Sequence, residues 1–256
     1  MLHIKNKRVS VLGTGIHPLT RKKTIHFLGA WIENNILDYI SFCTVNDVME
    51  GLRDKSVQQM INRGWTVPDG MPLVWLCRYY GHKSTARIYG PDIMAEFCMY
   101  GSTRGYRHFF YGGGPGVAQS LARRFERQFP GIIVAGAYTP KKLDRGEMEE
   151  SRVIKEINAS RPDVIWVGLG GPKQNVWMAK HRHLLNAPVL AGVGAAFDFH
   201  SGRLAQAPGW MQENGLEWLF RLLKEPRRLA FRYLVYNPLF IMLIFLQITG
   251  IRKFHS

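Results

Sequence analysis

The segment RHFFYGGGPGVAQSLARRFERQF, residues 107–129, decides the fold class of this chain. Its first five residues form a short apolar run typical of a strand, and the part from Pro115 to Phe129 has the apolar spacing of a helix with proline in its first turn. Glycines at 112, 113, 114 and 116 fill the junction between the two parts. The segment therefore predicts a strand, a glycine-rich turn and a helix, which is the unit that builds parallel sheets.

The same pattern continues on both sides of this segment. Apolar spacing predicts further strands at 39–44, 132–135, 164–167 and 189–191, and helices at 47–62, 146–159 and 172–185. Strands that alternate with helices of this length imply right-handed crossovers. The sequence therefore predicts an α/β fold, with a Rossmann-like, largely parallel sheet and helices on both faces, in a catalytic domain that spans residues 1–215.

Residues 216–256 have a different character, with seven Lys or Arg side chains against two Glu. Residues 233–251 carry no charge, and we expect Asn237-Pro238 to interrupt them, because proline disfavours helix in the residue before it. The remaining helix, 239–249, would rise only ~17 Å and could not cross a hydrocarbon core of ~30 Å. We therefore predict a C-terminal helical appendage that associates with a membrane surface. The alternative is a helix packed in the core.

The composition sets limits on the kind of protein. The chain has 256 residues, 34 Lys or Arg against 19 Asp or Glu, and a formal net charge of +15. Such a charge favours anionic partners, which are nucleic acid, phosphorylated metabolites or an acidic membrane. The three cysteines form no C-x-x-C pair, so the sequence supports neither a disulfide framework nor a zinc ribbon.

Three glycine-rich turns follow predicted strands, at residues 111–116, 167–173 and 191–194. Glycine lets the backbone approach a phosphate, and the helix that follows offers free N–H groups. The sequence therefore predicts a nucleotide or phosphate site at the carboxyl edge of the sheet. It has no P-loop motif, no acidic residue at the dinucleotide spacing, and no D-x-D pair to hold a metal ion, so we expect no metal.

Asp69 lies between Pro68 and Gly70, in a loop before a predicted helix. Spacing alone allows two readings of this residue, a functional carboxylate or an ordinary turn or cap aspartate. Thr44 and Asn46 end the first clear strand and would open onto the carboxyl edge. Their alternative role is to cap the helix that begins near Asp47.

Several motifs in order closely resemble the WecG/TagA/CpsF family of bacterial glycosyltransferases over residues 38–238. They are VPDGM (67–71), RIYGPD (87–92), FYGGGPG (110–116), VGLGGPKQ (167–174), GVGAAFDF (192–199), and GLEWLFR (215–221) with EPRR (225–228). The chain departs from the family pattern at Asn175, where the family usually has Glu.

The resemblance implies a metal-independent, inverting transferase that uses a UDP-sugar donor and a polyprenyl-diphosphate-linked sugar acceptor in surface or exopolysaccharide synthesis. By motif, Asp69 resembles the general base, Thr44 and Asn46 resemble donor-site residues, and Gln174 resembles a sugar or phosphate contact. The implied substrate-binding residues are Arg87, Gly113, Gly114, Tyr138, Gly170, Lys173, Asp198, Arg221, Arg227, Arg228 and Arg232. Among these, Tyr138 and Asp198 would contact the nucleoside, and the four C-terminal arginines would reach the active site from the appendage.

The resemblance also implies a peripheral protein at the cytoplasmic face of the bacterial inner membrane. Its expected partners are the two sugar substrates and an anionic membrane surface, without nucleic acid, and an assembly of several copies is left open. Two other classes compete with this interpretation. A nucleic-acid-binding protein would fit the charge, but the basic residues concentrate beside an apolar tail and no helix-turn-helix or RNP pattern occurs. A nucleotide-cofactor (NAD-type) oxidoreductase would fit the glycine turns, but the ribose-binding acidic residue is missing.

Overall fold

The computed structural model describes residues 7–140 and 147–255. Its strands are β1 (Val9–Val11), β2 (Thr14–Ile16), β3 (Asp38–Cys43), β4 (Trp65–Pro68), β5 (Arg107–Gly112), β6 (Ile133–Tyr138), β7 (Val164–Gly168) and β8 (Val189–Gly192). Its helices are α1 (Arg21–Glu33), α2 (Val45–Arg53), α3 (Lys55–Arg63), α4 (Met71–Tyr79), α5 (Gly90–Ser102), α6 (Val117–Gln128), α7 (Glu147–Ala159), α8 (Lys173–His181), α9 (Ala196–His200), α10 (Gly209–Glu213), α11 (Glu217–Lys224), α12 (Pro226–Phe231) and α13 (Asn237–Ile248). A 3₁₀ turn follows α8 at Arg182–Leu184, and a π-helical turn joins α12 to α13 at Arg232–Tyr236.

Six of these strands form one sheet in the order β4-β3-β8-β7-β5-β6. The pairs β3–β8, β8–β7, β7–β5 and β5–β6 are all parallel. The prediction of an α/β fold with a largely parallel sheet is confirmed. The chain leaves β5 toward β6 and leaves β7 toward β8, which are opposite directions along the sheet. Right-handed crossovers then put α6 and α8 on opposite faces, and the strand order reverses between β5 and β7.

The helix predicted at 47–62 is two helices in the structure. Asp54 ends α2, and its side chain accepts a hydrogen bond from the backbone N of Ser56 at 2.8 Å, which caps α3. An aspartate at this position favours a helix start over continuation, because its carboxylate satisfies a backbone N–H that would otherwise lack a partner. Periodicity alone predicts one helix here, because both helices have apolar residues at helical spacing.

By their contacts, the described residues form two compact units. Unit 1 contains residues 7–20, 42–89 and 205–255, and unit 2 contains residues 21–41, 90–140 and 147–204. The core of unit 2 packs strand residues such as Ile165 and Leu190 against Met178 of α8. The predicted boundary at residue 215 does not coincide with these units, since the C-terminal residues belong to the same unit as residues 42–89.

The core of unit 1 explains why the C-terminal segment belongs to it. Phe240, Leu243 and Ile244 of α13 are buried in one cluster with residues of β1 and α4, including Val11 and Leu73. Gln247 adds polar contacts, because its Oε1 accepts from the backbone N of Leu12 at 2.7 Å and its Nε2 donates to the Ser10 carbonyl at 2.9 Å. Helix α13 is therefore part of the unit 1 core on one side.

The expected interruption at Asn237-Pro238 is wrong. Helical structure continues from Pro226 to Ile248, and the change of helix type at Arg232–Tyr236 comes just before the proline. Pro238 occupies the first turn of α13. A proline in a first turn is tolerated, because the N–H that it lacks would have no partner within that helix.

Within the described residues, Leu229–Ile248 is long and apolar enough to cross a membrane, by length and composition only. The expectation that the apolar helix is too short to span is therefore corrected, since 20 residues rise ~30 Å. One side of this helix packs on unit 1, whereas Ile241, Met242 and Phe245 are exposed. The alternative of a helix packed in the core describes one face of this helix, and association with a membrane surface stays a prediction.

Candidate active site

Asp69 lies in the short loop between β4 and α4, as the Pro-Asp-Gly sequence predicts. The backbone N–H groups of Asp69 and Gly70 both donate to the Cys43 carbonyl, at 2.9 and 3.3 Å. The side chain of Asp69 is 13% exposed. A loop anchored in this way presents a carboxylate in a fixed position that is largely shielded from water.

Arg87 is the main charged neighbour of Asp69. Its Nε donates to the Asp69 backbone carbonyl at 2.8 Å, and its Nη2 lies 3.4 Å from the Asp69 carboxylate oxygen Oδ1. The same Nη2 donates to the carboxylate of Glu217, and Nη1 donates to the Gln212 carbonyl at 3.3 Å. The guanidinium carbon also lies 4.2 Å from the centre of the Tyr89 ring. Arg87 is therefore engaged on every nitrogen.

Tyr89 completes this arrangement by donating its hydroxyl to Glu217 Oε1 at 3.0 Å. Burial raises the pKa of Tyr89, and the carboxylates of Glu217 and Asp69 raise it further, so the phenol keeps its proton. Burial acts to lower the pKa of Arg87, but Asp69 and Glu217 outweigh it and the pKa lies above its ordinary value. We call Asp69, Arg87, Tyr89 and Glu217 the Asp69 cluster.

Thr44 lies beside the Asp69 loop, because a Cβ on Gly70 would be 3.8 Å from the Thr44 Cα. Thr44 is the N-cap of α2, and its backbone N and its Oγ1 both donate to Asp47 Oδ2, at 2.9 and 2.7 Å. Asn46 follows in the first turn of α2 and is buried. The capping alternative therefore describes the local geometry of Thr44, and it leaves a donor-site role untested.

The second group of predicted residues lies in unit 2, at the carboxyl ends of β5, β7 and β8. We call residues 112–116, 168–172 and 192–194 the glycine turns. The first two meet where the strand order reverses, and the backbone N of Gly113 donates to the Gly168 carbonyl at 2.9 Å. A Cβ on Gly112, which has a φ of +130°, would lie 2.6 Å from the Gly168 carbonyl carbon. Only glycine permits this contact.

The remaining predicted glycines lie in the same turns. Gly170 has a φ of +77° and open space where a Cβ would be. Gly113 and Gly114 continue the first turn, and Thr139 Oγ1 donates to the carbonyls of Gly112 and Gly114 at 3.1 and 3.3 Å. Positions where strand order reverses are the usual ligand sites of open α/β sheets.

Gln174 lies in the first turn of α8 and is buried. Its Nε2 donates to the Gly192 carbonyl at 2.8 Å, whereas its Oε1 has no hydrogen-bond partner among the described residues. A Cβ added at Gly194 would lie 3.4 Å from this oxygen. Asn175, the departure from the family pattern, is buried and accepts a hydrogen bond from Ser41 Oγ at 2.9 Å.

The other predicted residues of unit 2 surround the turns at their ends. Lys173 is exposed at the start of α8. Tyr138 ends β6 and stacks on Tyr111, with ring centres 5.9 Å apart. The backbone carbonyl of Asp198 in α9 accepts from the backbone N of Arg203 at 2.9 Å and so closes a turn.

The C-terminal arginines are distributed over three elements. Arg221 lies half-buried in α11, and Arg227 is exposed in α12. The backbones of Arg228 and Arg232 lie in α12 and the π-helical turn, and their side chains are outside what the structure describes. Among the described residues, no group of three or more His, Cys, Asp or Glu side chains is arranged to hold a metal ion.

Sequence reasoning did not single out Glu217, Tyr89 or Gln212. Glu217 and Tyr89 belong to the motifs GLEWLFR and RIYGPD, so the motifs carried a signal for them. In the sequence, Glu217 is 130 residues from Arg87 and 128 residues from Tyr89. No local pattern reveals a pairing at that separation.

Comparison with known proteins places the chain in a family. The family model described as "Glycosyl transferase WecG/TagA/CpsF family" matches residues 9–253. The N-acetylglucosaminyldiphosphoundecaprenol N-acetyl-beta-D-mannosaminyltransferase of Bacillus spizizenii is 35% identical over 162 residues, which cover 63% of this chain and 61% of the relative. Proteins of the same name are 29% identical in Bacillus subtilis, over 77% of this chain and 76% of the relative, and 23% identical in Staphylococcus aureus strain MW2, over 87% of each. The chain belongs to the WecG/TagA/CpsF family of glycosyl transferases.

Proposed function

We propose that this protein transfers a hexosyl or N-acetylhexosaminyl group from a UDP-sugar to a polyprenyl-diphosphate-linked sugar, in the synthesis of a bacterial surface polysaccharide. N-acetylmannosamine is the first donor sugar to test, because the relatives are named as N-acetylmannosaminyltransferases that act on an N-acetylglucosaminyl-diphosphate lipid. The names of the relatives specify a β product, and common UDP-hexose donors are α-linked. Transfer with inversion at the anomeric carbon would convert an α-linked donor into a β-linked product.

The observation that carries the proposal is the fixed carboxylate of Asp69 in a chain of this family. Inversion in one step needs a base to take the proton from the acceptor hydroxyl as it attacks the anomeric carbon. Asp69 has the shielding and the anchoring that such a base needs. Asp69 is the proposed base, and Thr44, Asn46 and Gln174 are proposed to contact the donor sugar and its phosphates.

The departing UDP must be stabilised as negative charge develops on it. We assign its binding to the glycine turns, to Lys173 at the start of α8, and to Tyr138 and Asp198 for the nucleoside. The Gln174 oxygen without a protein partner is suited to accept a hydrogen bond from a ligand N–H or O–H group. The remaining charge would be met by the C-terminal arginines and by Arg87, as the family resemblance implies.

Because the proposed acceptor is a lipid, the protein must act at a membrane surface. The exposed apolar side of α13 and the basic residues of α11 and α12 support peripheral attachment to an anionic membrane. We propose that the protein works at the cytoplasmic face of the inner membrane, because nucleotide-sugar donors are made in the cytoplasm. No metal is required in this proposal, because backbone N–H groups and cationic side chains can neutralise the leaving group.

The test is a transfer assay with the full chain, a panel of UDP-sugars, and a short-chain polyprenyl-diphosphate-N-acetylglucosamine in detergent. We expect one UDP-sugar to give a disaccharide lipid, and NMR of the product to show the β configuration at the new bond. Absence of transfer from every UDP-sugar would contradict the proposal. Tight binding of NAD(H) without binding of UDP would favour the oxidoreductase alternative instead.

A further inference from the structure

Glu217 is the one acidic side chain of α11, and it contacts the guanidinium that also faces Asp69. Arg87 Nη2 donates to Glu217 Oε2 and, at a longer 3.4 Å, also to Asp69 Oδ1. The side chains of Arg87 and Glu217 are 18% and 12% exposed, so the contact is shielded from solvent. The cation therefore lies nearer to Glu217 than to Asp69.

The physical consequence concerns the strength of Asp69 as a base. A cation close to a carboxylate favours its charged form and lowers its pKa, by about 1–3 units for an aspartate beside an arginine. A carboxylate with a lowered pKa is a weaker proton acceptor. A second carboxylate that binds the same cation opposes this effect, by its own negative charge and by drawing the cation away.

The geometry points to Glu217 as a positioning residue that keeps Asp69 basic by sharing the Arg87 cation with it and by holding that cation against Tyr89. This inference rests on the proposed function, in which Asp69 is the base. It adds a role for the C-terminal segment that is separate from membrane attachment, since Glu217 lies in α11.

Tyr89 and the backbone hold this arrangement in place. The Tyr89 hydroxyl binds Glu217 Oε1, and the Tyr89 ring lies under the guanidinium of Arg87. The Gln212 carbonyl accepts a further N–H of Arg87, so the guanidinium cannot move closer to the Asp69 carboxylate without weakening its contacts with Glu217, Tyr89 and Gln212. A positioning role fits the three contacts, from Glu217, Tyr89 and Gln212, that restrain the same cation.

Two further titratable groups that interact with Asp69 are neutral. Cys43 lies at the end of β3, and burial raises the pKa of its thiol, with Asp47 and Asp69 adding to the effect, so the thiol stays neutral. Tyr89 also keeps its proton, because burial and then Glu217 and Asp69 raise its pKa. Arg87 and Glu217 are charged, so their balance contributes to the local field at Asp69.

The test is the pH dependence of kcat/KM in the full chain with Glu217→Gln, measured with the detergent-soluble acceptor. Without the charge of Glu217, we expect the acid limb of the profile to move down by about one pH unit and the plateau to fall about tenfold. Glu217→Asp keeps the charge, so its acid limb should stay near that of the unchanged protein. Glu126→Gln, the same chemical change on the exposed side of α6, is the matched control.

A purely structural role would lower the rate and leave the acid limb where it is, and that result would overturn the inference. Glu217→Met, which is neutral and similar in length, provides the same test if the glutamine variant does not fold. Activity of the unchanged protein and its loss in Asp69→Asn report on the proposed function. The position of the acid limb reports on Glu217, so the two failures are distinguishable.

Discussion

The Asp69 cluster and the glycine turns would meet a substrate by different physical means. The Asp69 cluster consists of charged side chains that bind one another, with one cation between two carboxylates. The glycine turns offer backbone groups and space, with Gly112 and Gly168 so close that no side chain fits between them. In the proposed function, one region moves a proton and the other surrounds a phosphate.

This difference predicts how each region responds to mutation. A charge network fails when one charge is removed, because the partners that remain are left unbalanced in a shielded place. A ligand site formed by backbone groups is insensitive to the loss of a side-chain charge, and it fails when an added side chain fills its space. Substitutions chosen on this basis should separate turnover from nucleotide binding.

The largest effect is expected for Asp69→Asn. The amide keeps the shape of the carboxylate but cannot accept the proton, and loss of a general base costs about 10²–10⁴-fold in rate. Binding of UDP, measured by calorimetry, should change little, because UDP is assigned to the glycine turns. Asp54→Asn is the control, since it makes the same change at the exposed N-cap of α3. Retention of more than about a tenth of the activity would exclude Asp69 as the base.

The next effect concerns the two sides of α13. Leu243 is buried in the core of unit 1, and Ile241 is exposed on the opposite side. Leu243→Ala should lower the free energy of unfolding by about 2–5 kcal/mol, because it leaves a cavity. Ile241→Ala should change this free energy by less than about 0.5 kcal/mol. Urea unfolding measures both.

The exposed side of α13 also allows a test of the proposed membrane attachment. If the exposed side of α13 lies in the acyl boundary, Ile241→Ala should weaken binding to anionic vesicles about tenfold, through lost apolar burial. Equal vesicle binding by Ile241→Ala and the unchanged protein would contradict that assignment. Deletion of residues 237–256 is not a clean test of attachment, because it removes Phe240, Leu243 and Ile244 from the core.

The contrast between the regions also explains what the sequence could predict. Gly112, Gly113 and Gly170 lie next to the strands that they follow, so a local pattern was enough to locate the turns at the carboxyl edge. The loop of Asp69 was readable for the same reason, from Pro-Asp-Gly before a helix. Local motifs report on local geometry, and most of the sheet is built from local units.

The pairing of Arg87 with Glu217 was not predictable from such patterns. It depends on how α11 folds onto residues 42–89, and the only sign of it in the sequence is that both residues belong to recognisable motifs. The continuity of the helix through Pro238 was missed because the rule for the residue before proline does not account for a π-helical turn just before it. Packing of α13 on the core decides the helix there.

A smaller effect is expected for Gly170→Ala. Gly170 and Gly105 both have positive φ and open space at the Cβ position. Alanine at either position should cost about 1 kcal/mol of stability, from backbone strain. Only Gly170→Ala should weaken UDP binding, by about tenfold or more, because its methyl group would occupy the space assigned to a phosphate. Equal UDP affinity in the two variants would remove the glycine turns from the donor site.

The smallest effect is expected on removal of divalent metal ions. In the Asp69 cluster both carboxylates already bind Arg87, so a cation there would have to compete with a guanidinium held by four groups. The glycine turns precede helix starts, whose N–H groups favour anions over cations. Among the described residues, no group of three or more His, Cys, Asp or Glu side chains could hold a metal ion. We expect turnover in excess EDTA to stay within about twofold of turnover in Mg²⁺, since electrostatic stabilisation of the leaving group can come from donors and cations of the protein. Loss of activity in EDTA and its return with Mg²⁺ or Mn²⁺ would show that the diphosphate brings a metal with it, and the charge assigned to Lys173 and the C-terminal arginines would then have to be reassigned.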